Sequence, residues 1–153
     1  MMGADALKLA LDILGPELAK AEAEGIKRDV KGKIVIGTVK GDIHDIGKNI
    51  VSAMMTAAGY DVYDLGINQD IAAFTEKAEE VEADIIALSA LLTTTMPEQK
   101  RLVDHLKEQG LRGKYKVIIG GGPTTNDWAN EIGADGWSET AGGAIALCDQ
   151  LTA

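Results

Sequence analysis

Lys33-Ile34-Val35-Ile36-Gly37-Thr38-Val39-Lys40-Gly41-Asp42-Ile43-His44-Asp45-Ile46-Gly47-Lys48-Asn49-Ile50-Val51 opens as a β-branched run with few polar residues and closes as the start of a helix. A short continuous apolar run of this kind is the pattern of a strand buried on both faces. After the Gly41 turn, Ile46 to Ala58 continues at helical spacing, which places Ile50, Val51, Met54 and Ala58 inward. The same unit recurs downstream. Strand-like runs stand at Asp61-Val62-Tyr63-Asp64-Leu65, Ile85-Ile86-Ala87-Leu88-Ser89 and Lys116-Val117-Ile118-Ile119-Gly120, with a weaker one at Ala134-Asp135-Gly136-Trp137. Ile71 to Glu82, Pro97 to Gln109, Asn126 to Ile132 and Ala141 to Leu151 read as the helices around them. Parallel strands need crossover connections, usually helical, so the alternation predicts an α/β, flavodoxin-like (Rossmann-like), doubly wound five-stranded parallel sheet. Ligands in that architecture sit beyond the carboxyl ends of the strands, where strand order reverses. The informative loops are therefore those after strands one, three, four and five.

Upstream of Lys31 the pattern is different. Leu7, Ala10, Leu11, Leu14, Leu18 and Ala21 form one amphipathic helical stripe, and Gly15-Pro16 kinks or splits it. Glu22 to Asp29 is polar and reads as a linker. The expected division is thus a helical segment with linker over 1–30 and the main domain over 31–153.

Composition narrows the function. The 153 residues carry 15 Lys+Arg against 24 Asp+Glu, a net charge of -9, which disfavours a broad electrostatic grip on nucleic acid or on an anionic membrane. No apolar run approaches the roughly 18 residues of a transmembrane helix, and the N-terminus lacks a basic stretch followed by an apolar one. The single cysteine, Cys148, has no internal disulfide partner, so a reducing cytoplasm is the expected compartment. Glycine is abundant at 18, while aromatics are only 4%. Few bases could stack on such a surface, and many turns bring backbone close to something.

The first loop holds the chemistry. Asp42 and His44 are two residues apart on a Gly-flanked turn, so their side chains can point the same way. A carboxylate that accepts from one ring nitrogen fixes the tautomer and leaves the other nitrogen as a ligand. One histidine makes a poor site for a bare metal ion, which wants three or four protein ligands, and no Cys or second His lies close in sequence. It suffices only where something else supplies the rest of the coordination, as a tetrapyrrole-type cofactor does.

The segment Gly41-Asp42-Ile43-His44-Asp45-Ile46-Gly47-Lys48-Asn49-Ile50-Val51, containing Asp42-x-His44-x-x-Gly47, resembles the cobalamin-binding signature of corrinoid proteins in methyltransferase systems and of cobalamin-dependent methionine synthase. Ser89-Ala90-Leu91 with Leu92-Thr93-Thr94-Thr95 is similar to the family's segment after strand three. Gly120-Gly121-Gly122-Pro123-Thr124 is similar to its Gly-Gly segment after strand four. The three stand in the family's order, and the resemblance covers about Lys31 to the C-terminus.

The resemblance implies that His44 replaces the cofactor's own base as lower axial ligand of cobalt, with Asp42 holding its other nitrogen and the Thr95 hydroxyl extending the relay. It further implies that Gly47, Gly120, Gly121 and Gly122 let a nucleotide tail approach the backbone. Ser89, Leu91, Thr93 and Thr124 would contribute to the same site, and Trp137 would cover the nucleotide. Lys48 and Asn49 read equally as ligand contacts or as surface. Asp45, His105, Met54, Met55 and Cys148 are given solvent or core roles, and Trp128 none.

By the same resemblance the chain is a methyl-carrying component of a multi-protein system, its cofactor methylcobalamin or another corrinoid containing cobalt. Its expected partners are a substrate-specific methyltransferase, a second methyltransferase that methylates tetrahydrofolate or a thiol, and a reductive activator. An O-demethylase system is the expected setting. Relatives carry a helical cap domain before this one, and Ala4 to Glu24 is similar to its last helix, a short remnant. The implied alternatives are a fragment of a longer chain or a short variant covered by a partner, and uncovered faces favour a homodimer. The adenosylcobalamin mutase subunit is the competing reading, since it shares Asp-x-His-x-x-Gly. A phosphoacceptor using Asp42 would leave His44 and the glycine run unexplained.

Overall fold

The computed structural model describes residues 30–153. The stripe from Leu7 to Ala21 and its Gly15-Pro16 interruption lie outside them.

The strands β1 (Lys33–Thr38), β2 (Asp61–Asp64), β3 (Ile85–Ser89), β4 (Lys116–Gly120) and β5 (Gly136–Trp137) form one parallel sheet in the order β2-β1-β3-β4-β5. The connections are α1 (Ile46–Ala57), α2 (Ile71–Val81), α3 (Pro97–Glu108) and α4 (Asn126–Ile132), and α5 (Ala141–Thr152) closes the chain. The chain leaves β1 toward β2 on one side and returns to pair β3 on the other. Strand order therefore reverses between β1 and β3, and the loops that follow these two strands part company there.

The alternation of side chains across each strand sorts the core into two layers. Val35, Ile86, Leu88, Val117 and Ile119 meet Phe74, Leu102, Val103, Leu106 and Ile132, which come from α2, α3 and α4. On the opposite face Ile34, Ile36, Ile85, Ala87 and Ile118 meet Met55, Ala144 and Cys148 from α1 and α5. This second layer is built with small residues at Ala87 and Ala144, and it leaves space between its two helices.

Local signals fix the helix ends. The Thr125 and Thr140 hydroxyls accept from the N–H groups of Trp128 and Gly143 at the starts of α4 and α5. α4 stops at Gly133, whose φ of 79° suits a residue without a Cβ. Its termination takes the Ala134 N–H to Ala129, so the fifth strand begins at Gly136 and not at Ala134.

One face differs from the expected one. Met54 is 37% exposed and Met55 is buried. The inward stripe of α1 runs through Lys48 and Met55, one helical face at a seven-residue step. Hydrophobic periodicity assigns a lysine outward, and the stripe is misplaced as a result.

Candidate cofactor site

The loop after β1 is held from several directions. Gly41 turns with a φ of 85°, its N–H donating to Asn68 Oδ1 at 2.8 Å, and the Asp42 N–H returns to the Val39 carbonyl at 3.1 Å. The buried Thr38 hydroxyl donates to the His44 carbonyl at 2.8 Å. Between these anchors the Asp42 side chain turns inward and is fully buried.

Four donors converge on that carboxylate. Oδ1 accepts from the His44 N–H at 3.0 Å and lies 2.8 Å from His44 Nδ1. Oδ2 accepts from the Leu91 N–H and from the Thr95 hydroxyl, both at 2.7 Å. Burial pushes the carboxyl up, but the Leu91 and His44 N–H groups, the Thr95 hydroxyl and the imidazole more than offset it, and the group is held down at about 2. An ionised carboxylate accepts only, so Nδ1 carries a proton and Nε2 is the ring nitrogen left free of the carboxylate. The ring is 46% exposed. Asp42, His44 and Thr95, expected together from sequence, are brought together here.

Above the second core layer, between α1 and α5, lies a cleft of about 740 Å³. Its floor is apolar, with Ile36, Ala87 and Ile118 from the strands and Met55, Ala144 and Leu147 from the helices. His44 and Gly47 stand at one side, Ser89 and Gly120 to Gly122 at another, and Trp137 to Thr140 at the third. Ile43, Leu91 and Leu92 on the loops around the imidazole and Ile46 at the start of α1 are exposed apolar side chains, Ile43 to 70%. Large apolar residues exposed together mark a surface meant to be covered.

The glycines divide by role. A Cβ at Gly47 would meet nothing within 4 Å, which leaves that edge of the cleft open. A Cβ at Gly121, whose φ is 127°, would stand 1.8 Å from the Ala90 carbonyl oxygen. Gly121 is required by the crossing of two backbones, independently of any ligand. Thr124 is buried, and its hydroxyl donates to the Gly121 carbonyl while accepting from Trp137 Nε1 at 3.0 Å. Its proton is thus committed within the protein. Thr93 is exposed, and Leu91 contributes its backbone N–H to Asp42 while its side chain is exposed.

Three residues have roles that sequence reasoning did not assign. Lys48 is neither at the surface nor directed at the cleft through its charge, because its ammonium is paired with Asp64 at 2.6 Å. Gln99, fully buried, donates through Nε2 to the carbonyls of Leu88 at 3.0 Å and Gly120 at 3.3 Å, stitching the ends of β3 and β4. Trp128 Nε1 donates to Gln99 Oε1 at 2.9 Å. A polar residue on the inward stripe of a helix is the only signal that could have found Lys48 and Gln99.

Among the described residues no group of three His, Cys, Asp or Glu side chains could hold a metal ion. A single outward imidazole beside an apolar rim and a deep slot instead fits a flat ligand that brings most of its own coordination. A profile of the B12 binding domain matches residues 32–146. The chain belongs to the B12-binding domain family. The cofactor of this B12-binding domain is a corrinoid.

It is 59% identical over 152 residues to a corrinoid protein of Desulfitobacterium hafniense, covering 99% of this chain and 69% of that one. A dimethylamine corrinoid protein of Methanosarcina mazei is 48% identical over 153 residues, with coverage of 100% and 89%. Among solved structures, the methanol:cobalamin methyltransferase complex of Methanosarcina barkeri matches with a TM-score of 0.81 at 34% identity, over 99% of this chain and 56% of that one. The B12-binding domain is thus a relative of corrinoid proteins of methyltransferase systems. No helix among the described residues is long and apolar enough to cross a membrane.

Proposed function

We propose that this chain holds its corrinoid with the cofactor's own lower base displaced and His44 Nε2 in its place, and carries a methyl group between two methyltransferases. The observation that carries the reading is the outward Nε2 of a half-exposed imidazole whose Nδ1 is fixed at 2.8 Å by a fully buried carboxylate. Bound corrinoid supplies a cobalt centre able to accept and release a methyl group. Asp42 orients the ring, fixes its tautomer and balances positive charge at the metal. Thr95 and the Leu91 N–H keep Asp42 ionised. The apolar cleft takes the displaced base, and Gly47 leaves room for the tail to pass.

The chain activates no substrate by itself in this reading. A substrate:corrinoid methyltransferase loads it, a second one acting on tetrahydrofolate or a thiol unloads it, and a reductive activator restores it. The similarity to a chain of a methanol:cobalamin methyltransferase complex supports the first of these partners. Between donors, the 48% identical dimethylamine corrinoid protein favours methylamines over the O-demethylase setting expected from sequence. The same relatives favour methyl transfer over the adenosylcobalamin mutase alternative.

The test is retention of cobalamin after desalting, with absorbance and electron paramagnetic resonance of the Co(II) state, for the native protein and His44→Ala. Near-stoichiometric retention with nitrogen coupling that disappears in the variant is the expected result. Retention with identical spectra in both proteins would remove His44 as the ligand.

A further inference from the structure

Of the residues from Ile43 to Asn49, which carry the imidazole and begin α1, Lys48 alone is buried. It is a costly residue to place there. A cation in the first turn opposes the positive end of the helix dipole, and desolvating an ion pair commonly cancels its Coulombic gain. The lysine is desolvated while Asp64 stays partly exposed, so burial of the ammonium offsets much of what the pairing contributes, and what the pair specifies closely is direction.

The direction is specified closely. Asp64, at the end of β2, receives the ammonium on both oxygens at 2.6 and 2.7 Å, and Asn49 Oδ1 accepts at 2.8 Å. All three N–H bonds are spent inside the protein, and none is left for a ligand phosphate. Asp64 Oδ1 also accepts from the Gly66 N–H at 2.8 Å, and the Gly66 carbonyl accepts from the Thr38 N–H at 2.9 Å. Thr38 in turn holds the His44 carbonyl. The connections close a circuit from Lys48 through the ends of β2 and β1 back to the imidazole-bearing residue. Asp45, the N-cap of α1, makes no side-chain cap bond, so its side chain does not hold the first turn.

We propose that Lys48, through Asp64, is a positioning residue that fixes the first turn of α1 and thereby the direction of the His44 ring. The inference rests on His44 as the cobalt ligand for its functional meaning, and its test separates the two. The full chain is compared with Lys48→Met, Asp64→Leu and the double variant, in which two apolar side chains replace the pair. In the cofactor-free protein, nitrogen-15 histidine correlation spectra report the His44 tautomer. In the cobalamin-loaded protein, the nitrogen coupling of Co(II) reports the His-bound fraction.

The double variant is expected to stay folded while showing both tautomers. Its His-bound equilibrium should fall roughly tenfold, the low end for groups that orient a metal-ligating histidine. A folded double variant with a single tautomer and unchanged coupling would overturn the proposal. Should Lys48→Met alone fail to fold, the double variant still decides. Should the native protein lack nitrogen coupling, the ligand assignment of His44 fails, and the tautomer comparison still decides on positioning.

Discussion

Thr95→Val keeps the shape of a buried side chain and removes one of the four donors on Asp42. A hydrogen bond to a buried charge contributes roughly 1.5–3 kcal/mol, and the variant should lose about 2 kcal/mol at neutral pH. The dependence on pH distinguishes this from a packing effect. Asp42 is held at about 2 against an ordinary 3.8, so its ionised form favours folding by roughly 2 kcal/mol. The folded value lies below the unfolded one; the contribution is therefore complete above 3.8 and is lost as pH falls toward 2. Without the hydroxyl the folded value rises, and native and variant stabilities should converge in acid. Urea unfolding followed by circular dichroism, from neutral pH down to about pH 2.5, measures both curves. A gap that stays constant with pH, or no gap at neutral pH, would refute the reasoning.

Gly121→Ala should be among the most destabilising single changes, about 3–5 kcal/mol by urea unfolding, because its Cβ would lie 1.8 Å from the Ala90 oxygen at a φ of 127°. Gly47→Leu enters open space and replaces glycine in a helix, so thermal melting of the cofactor-free protein should hold or rise while cobalamin retention on a desalting column is lost. Burial and then the Asp149 carboxylate, 2.6 Å from its hydroxyl, push Tyr60 up to about 12 from 10.0. That raised value makes stability fall as pH rises from 10 through about 12, and Tyr60→Phe should flatten this alkaline decline in denaturant titrations.

The sheet was legible because each strand is an apolar run between helical patterns, and parallel strands have few other ways to connect. Asp42 and His44 were legible because their spacing on a glycine turn has a chemical reason. Thr95 followed from the resemblance, and its 2.7 Å bond to Asp42 is formed by residues 53 apart in sequence. Lys48 and Gln99 were hidden because hydrophobic periodicity counts every polar residue as outward, whereas both lie buried with all their polar atoms engaged. The need for Gly121 was hidden for another reason. Close approach to a ligand and close approach to Ala90 select the same residue type, and only coordinates separate them.

The carboxylate beneath the imidazole joins the loop after β1 to the loop after β3, across a pairing that skips the whole of α1, β2 and α2. Contacts so distant in sequence carry the entropic cost of closing the intervening chain into a loop. The orientation of the His44 ring therefore depends on the central pair of strands being in register. A slow or mispaired β3 would leave a chain that contains every residue of the motif and still has no affinity for its cargo.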